Sequence, residues 1–185
     1  MTMKRIILLL VFVCTSFPTF SEEIKELKVW HEKGKYFVSM VFSVDTTSKT
    51  IKRVLQDHEN IPVLIPTVYD VQILKAPETN IQRVKMSIKD CVLFYCKNVV
   101  KTSDMFEDEN GNLFTQLVPE LSDMKSGESR WEFSRSSEGK LIINYYSFIE
   151  PDIWAPPLIG PEVIKSRLEE QIRMTVEKLS ELAKE

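Results

Sequence analysis

Residues 160–183 read GPEVIKSRLEEQIRMTVEKLSELA, and this segment carries the strongest structural signal in the chain. Charged residues fill the gaps between apolar residues that recur every three or four positions: Val163, Ile164, Leu168, Ile172, Val176, Leu179 and Leu182. That spacing is typical of an amphipathic helix with one apolar face. Gly160 and Pro161 mark its beginning, because proline suits the first helical turn. A helix of this length would extend roughly 36 Å, enough to cross a whole sheet.

Upstream of this helix, most of the chain has the period of β-strands. Alternate positions are apolar from Tyr36 to Val44 and again from Val84 to Ile88, and further candidate strands are 68–75, 95–106, 112–119, 129–135 and 141–150. A short helix is predicted after the N-cap oxygens of Asp45–Ser48, and one more helical turn fits between Pro62 and Pro66. The order is strand, helices, six strands, helix. It predicts an α+β fold in which an antiparallel sheet is covered by the C-terminal helix.

The N-terminus differs from the rest of the chain. Lys4 and Arg5 precede the apolar run 6–13, and the small residues Thr19 and Ser21 follow, which is the layout of a secretory signal peptide. We therefore expect residues 1–21 to be a signal peptide and 22–185 a single exported domain, with the bacterial periplasm as its compartment. Removing the signal peptide would shift the formal net charge from −3 to −5. An acidic chain without a basic cluster argues against nucleic acid as a partner.

Removal of residues 1–21 would take away Cys14 and leave two cysteines, Cys91 and Cys96, in the mature chain. Export would place them in an oxidising compartment. An even number of cysteines in such a protein predicts a disulfide. On one straight strand the two Cα atoms would lie roughly 16 Å apart, too far for a bridge. The sequence therefore predicts a hairpin turn at residues 92–95, with the two cysteines facing each other across it.

Several motifs resemble the START-like (SRPBCC) superfamily, and within it the coenzyme-Q-binding and polyketide-cyclase-like proteins. These motifs are Val54–Asp57 with Ile61-Pro62 and Ile65-Pro66, Pro119–Asp123, Gly127 with Trp131, and Glu150–Pro161. The resemblance spans roughly residues 35–183. It implies a helix-grip fold, in which a curved antiparallel sheet wraps around the long C-terminal helix, and a cavity that holds a lipid, quinone, sterol or polyketide.

A cavity of this kind would be lined by the bulky residues of the sheet and helix. The expected lining residues are Met40, Phe42, Met86, Ile88, Trp131, Phe133, Tyr145, Phe148, Trp154, Leu168 and Ile172. Periodicity cannot distinguish a filled interior from a lined one, and the resemblance favours the lined one. The proline-rich segment 152–160 is the expected cavity mouth, through Ile153, Trp154, Leu158 and Ile159, with transient contact to a membrane surface. The alternative is an apolar plug under the final helix.

The expected function is binding or transport of a hydrophobic small molecule, without catalysis and without a cofactor. Two histidines 27 positions apart give no metal motif, and no nucleophile motif is present. One alternative is a cyclase that uses Glu120 and Asp123 as acid and base, although the same residues suit a solvated turn. A second alternative is a ligand-free protein-interaction module. Three arginines are candidates to orient a polar head group: Arg83, Arg130 and Arg167.

Overall fold

The structure is a computed structural model and describes residues 23–92, 95–152 and 160–184. Within these ranges it contains eight strands and three α-helices. In chain order they are β1 (Glu23–Glu32), β2 (Lys35–Val44), α1 (Ser48–Gln56), α2 (Ile61–Leu64), β3 (Val68–Leu74), β4 (Gln82–Val92), β5 (Tyr95–Glu107), β6 (Leu113–Leu117), β7 (Met124–Arg135), β8 (Leu141–Pro151) and α3 (Pro161–Leu182).

The eight strands form one antiparallel sheet in the order β1-β2-β8-β7-β6-β5-β4-β3. Strands β3 to β8 are a meander, because each pairs with the next along the chain. The β1–β2 hairpin then joins the meander through β2 and β8. Helices α1 and α2 connect β2 to β3, which is the edge strand at the opposite side of the sheet from β1. The predicted α+β helix-grip fold is confirmed.

Strand β1 was missing from the sequence prediction, which placed the first strand at Tyr36. Charged residues interrupt the apolar alternation of β1, and its pairing with β2 shifts register between Ile24 and Glu26. As an edge strand, β1 pairs on one side only, and none of its residues is fully buried. Its position depends on pairing with β2, including a stack of Trp30 on Phe37 with ring centroids 5.0 Å apart. Local sequence contains little of that information.

The predicted hairpin between the two cysteines is present. Strands β4 and β5 pair with Cys91 opposite Cys96, and a disulfide joins the two residues. Residues 93–94 lie outside the described ranges. The bridge therefore joins β4 and β5 at the end where the hairpin turns.

The hydrophobic core lies between the sheet and the C-terminal half of α3. Helix α1 adds Ile51 and Val54 to it, and α3 adds Val176 and Leu179. Thr47 caps α1 through a hydrogen bond that its side chain accepts from the Thr50 backbone N–H, so one of the predicted N-cap oxygens serves as expected. The sheet contributes Met40, Phe42, Val44, Leu141 and Ile143.

Candidate functional site

A cavity of about 480 Å³ lies between the sheet and the N-terminal half of α3. Most of its wall is apolar. The apolar lining consists of Tyr36, Val38, Ile65, Met86, Ile88, Val99, Met124, Tyr145, Ile149, Pro151, Ile164, Leu168 and Ile172. This volume falls in the range of about 300–1,000 Å³ that is usual for small-molecule sites.

The strand period explains which side chains reach the cavity. Successive side chains of a strand point to opposite faces, so the inward set on β8 is Tyr145, Ser147 and Ile149. These residues lie beside the inward set of β2, because Tyr36 pairs with Ile149 and Val38 with Ser147. The inward positions of β4 and β5 line the opposite part of the cavity.

Helix α3 has two functions along one apolar stripe. Val176 and Leu179, toward its C-terminus, are 1% and 0% exposed and pack into the core. Ile164 and Leu168, toward its N-terminus, are only half-buried and line the cavity. Ile172 lies between the two regions, because it lines the cavity and also packs against the core. The same periodic pattern therefore fills the interior at one end and encloses a void at the other.

Three charged side chains of the wall, Asp90, Asp123 and Arg167, are paired with protein groups. The carboxylate of Asp90 accepts hydrogen bonds from Arg167 Nη2 and from Gln171 Nε2, each at 3.1 Å. Asp123 Oδ2 accepts a hydrogen bond of 2.8 Å from the Val100 backbone N–H. These bonds hold α3 to β4 and hold the segment before β7 to β5. Lys97 also lines the cavity but is exposed, so water solvates its charge.

Lys101 differs from Lys97 and Arg167, because among the described residues it is neither exposed nor paired. It lies on β5 opposite Met86, lines the cavity and is half-buried. Burial lowers the pKa of the Lys101 ammonium, and no charged partner among the described residues opposes that effect. Burial also raises the pKa of Tyr145, against a weaker effect of a hydrogen bond with Ser147, so this phenol stays neutral at neutral pH.

Five of the predicted lining residues surround the cavity: Met86, Ile88, Tyr145, Leu168 and Ile172. Met40 and Phe42 do not, and their prediction is corrected here. They point to the expected face of β2, but they are 1% and 0% exposed in the close-packed core, beyond the end of the cavity. Trp131 and Phe133 also pack against that core. The indole of Trp131 separates Phe42 from Tyr145, with ring centroids 6.5 Å and 4.4 Å away.

Phe148 requires a second correction, because it lies on the other face of the sheet. It falls between the inward residues Ser147 and Ile149, so the strand period directs it outward. There its ring lies 5.8 Å from that of Phe37, and Lys35 Nζ lies 4.8 Å from the ring centroid. The bulk of its side chain had suggested a position in the cavity. The alternation of side chains along β8 places it on the opposite face of the sheet instead.

The predicted cavity mouth lies outside the described residues: Ile153, Trp154, Leu158 and Ile159. Trp154 was also predicted to line the cavity, and that prediction is outside the described residues too. Pro151 and Ile164, which precede and follow that segment, both line the cavity.

The candidate acid and base do not form a pair in the cavity. Glu120 lies in an exposed 3₁₀ turn at Pro119–Leu121 and does not line the cavity. Asp123 does line it, but its carboxylate holds a backbone N–H, as expected for a turn stabilised by side-chain-to-backbone hydrogen bonds. Ser122 strengthens the same turn, because its Oγ accepts a hydrogen bond from the Thr102 backbone N–H.

Of the three candidate arginines, only Arg167 reaches the cavity. Arg83 forms a bidentate pair with Asp104 at 2.6 and 2.7 Å, and Arg130 pairs with Glu132 at 3.2 Å.

Lys101 was not among the residues predicted from the sequence. It lies two positions after Val99 on β5, so both side chains point to the cavity. A charged residue at an inward-facing strand position could have indicated its role.

No three His, Cys, Asp or Glu side chains among the described residues group closely enough to hold a metal ion. None of the helices in the described ranges combines the length and hydropathy needed to span a bilayer.

The sequence matches no family model and no curated protein, whereas the structure resembles many solved ones. A START superfamily protein from Mycobacterium smegmatis is 17% identical, with a TM-score of 0.61 over 80% of this chain and 97% of that one. The STAR-related lipid transfer protein from Xanthomonas axonopodis is 13% identical, with a TM-score of 0.59 over 86% and 99%. The chain therefore has the START-like fold, which its motifs suggested.

The Zhui aromatase/cyclase from Streptomyces sp. R1128 has the same fold, with 13% identity and a TM-score of 0.56 over 80% of this chain and 91% of that one. This similarity corrects the expectation of a protein without catalysis. That expectation rested on the absence of metal and nucleophile motifs from the sequence, whereas the fold is also found in enzymes. At such low identity the comparison shows only that related folds can be enzymes.

Proposed function

We propose that this protein binds a hydrophobic small molecule, of the lipid, quinone or sterol class, in the cavity between the sheet and α3. The observation that carries the proposal is the cavity itself, about 480 Å³ in volume with a mostly apolar wall. Apolar area removed from water contributes about 25 cal/mol per Å², so such a wall favours an apolar ligand. The similarity to a STAR-related lipid transfer protein supports the same class of ligand.

A dye-binding experiment tests this proposal. Nile red is uncharged and fluoresces in apolar surroundings, and we expect the protein to bind it. Leu168→Trp should fill part of the cavity and weaken binding roughly ten-fold. Leu121→Trp is the matched control, because Leu121 is 43% exposed and does not line the cavity. Thermal melts would confirm that both variants fold.

The proposal fails if the wild-type protein does not bind Nile red, or if the two tryptophan variants bind it equally well. Absence of binding would favour the alternative of a ligand-free interaction module. If the dye does bind, mass spectrometry of small molecules that co-purify with the protein from its native host would identify the ligand class.

Export to an oxidising compartment such as the bacterial periplasm is part of the same proposal, with residues 1–21 removed as a signal peptide. The Cys91–Cys96 disulfide supports it, because structural disulfides are typical of such compartments. A ligand of low solubility must also leave a bilayer or another carrier, so we include transient contact with a membrane surface. Transfer of a fluorescent lipid between liposomes would measure that contact.

A further inference from the structure

Lys101 is a cation in the cavity wall that has no counter-ion in the described part of the chain. Three carboxylates line the cavity with it: Asp90, Asp123 and Glu128. None of their oxygens lies within 4.0 Å of Lys101 Nζ, the limit for an ion pair. Asp90 is bonded to Arg167 and Gln171, and Asp123 to the Val100 backbone. Glu128 is exposed and directs its charge to water. The protein's own acids therefore leave the Lys101 ammonium unpaired.

Two other donors on the cavity wall also lack hydrogen-bond partners among the described residues. They are the hydroxyl of Thr67 and the Nε–H of Arg167, and both atoms are buried. The other nitrogens of Arg167 bond to Asp90 and Glu170. Buried polar groups are rarely left unpaired, because each one costs free energy when it is removed from water. Both groups can therefore donate a hydrogen bond to a ligand that enters the cavity.

An unpaired ammonium on an apolar wall destabilises the free protein and is a strong recognition element for a ligand. An anion that enters the cavity forms a charge-assisted hydrogen bond there, in surroundings where such bonds are strongest. The anion must carry about one charge. A phosphate monoester carries roughly −1.5 to −2 and would call for a second cation, but Arg167 is already paired with Asp90, and the charge of Lys97 is exposed to water. Among the described residues Lys101 is the half-buried cavity cation without a partner, and one carboxylate matches its charge.

We propose that the cavity selects hydrophobic molecules that bear one carboxylate, and that this group pairs with Lys101 while the apolar part contacts Met86, Leu168 and Ile172. This inference rests on the proposed function, because it presumes that the cavity holds a hydrophobic ligand. It adds the polar group that distinguishes one such ligand from another. Lys101 is the specificity-determining residue.

The test is displacement of Nile red from the full chain by dodecanoic acid, dodecan-1-ol and dodecyl phosphate. The acid should displace the dye at a concentration roughly ten-fold lower than the alcohol, since only the acid forms the charged bond. Lys101→Met should abolish this preference, and Lys101→Arg should keep most of it. Lys89→Met is the matched control, because Lys89 is exposed and lies between the inward residues Ile88 and Asp90.

The outcomes separate the two proposals. If Nile red does not bind, the proposed function fails. If the dye binds and the alcohol displaces it as well as the acid does, the function stands and the role of Lys101 is wrong. An acid preference that survives Lys101→Met, or dodecyl phosphate that binds more tightly than the acid, would also overturn the inference. The acid-to-alcohol comparison uses the unaltered protein, so it does not depend on the folding of any variant.

Discussion

Arg167 on α3 donates a hydrogen bond of 3.1 Å to the Asp90 carboxylate on β4, and this pair fastens the helix to the sheet beside the cavity. Both side chains are about one-third exposed, so the pair is neither fully screened nor fully buried. Gln171 bonds to the same carboxylate one helical turn further on. The pair thus holds the cavity-lining half of α3 against the β4–β5 hairpin.

Asp90→Asn should therefore lower the free energy of unfolding by about 1–2 kcal/mol, because it removes a charge that two α3 side chains bind. Urea denaturation would measure the change, and part of it should disappear at high salt. Asp45→Asn, at an exposed carboxylate, is the control and should cost less than about 0.5 kcal/mol. Equal stability of the two variants would show that the pair does not fasten α3.

The two halves of α3 should respond differently to the same substitution. Leu179→Ala should cost about 2–5 kcal/mol, because Leu179 is 0% exposed in the close-packed core. Leu168→Ala should cost less than half as much, because Leu168 already borders a void. Denaturant titrations of both variants make the comparison. A Leu168→Ala loss as large as that of Leu179→Ala would mean that the cavity is filled by protein.

The Cys91–Cys96 disulfide closes a short loop, so its contribution to stability should be modest. A chain-entropy estimate for five residues of separation gives about 2 kcal/mol. Reducing the wild-type protein should lower its stability by this amount. The same reductant should leave the double variant Cys91→Ser, Cys96→Ser unchanged. A wild-type melt that is insensitive to reductant would contradict the prediction.

Lys101→Met should stabilise the ligand-free protein at neutral pH by about 1–3 kcal/mol, because it removes an unpaired, half-buried ammonium. The gain should shrink at high pH. Burial lowers the pKa of Lys101 below its ordinary value of 10.5, so between the two values the unfolded chain binds more protons than the folded one. Wild-type stability therefore rises with pH in that window, through this residue.

Urea midpoints of both proteins at pH 7 and pH 10 would measure the effect. The other titratable groups of the cavity are present in both proteins, so their contributions cancel to first order: His31, Tyr36, Asp90, Lys97, Asp123, Glu128, Tyr145 and Arg167. Lys89→Met, at an exposed lysine, should show no comparable gain at either pH. A Lys101→Met variant that is less stable than wild type at pH 7 would refute the prediction.

Local sequence was sufficient for the elements whose periodicity is complete. The stripe from Val163 to Leu182 predicted α3, and the alternation from Tyr36 to Val44 predicted the buried face of β2. The spacing of Cys91 and Cys96 predicted the β4–β5 hairpin. In each case residues close together in sequence determine the conformation. For α3 and β2 the reason is the periodic direction of side chains, and for the hairpin it is the short distance that a disulfide can span.

The limits of the cavity depended on the tertiary structure. A period shows which face a residue occupies, but not whether the opposing layer touches it, so Phe42 and Tyr145 have the same inward parity and different surroundings. The unpaired state of Lys101 likewise depends on carboxylates far away in sequence that bond to other partners. Burial and pairing are properties of atoms brought together by folding. Helix α3 and the inward face of β2 follow from local periodicity, whereas the packing of the layers sets where the interior closes and where it stays open.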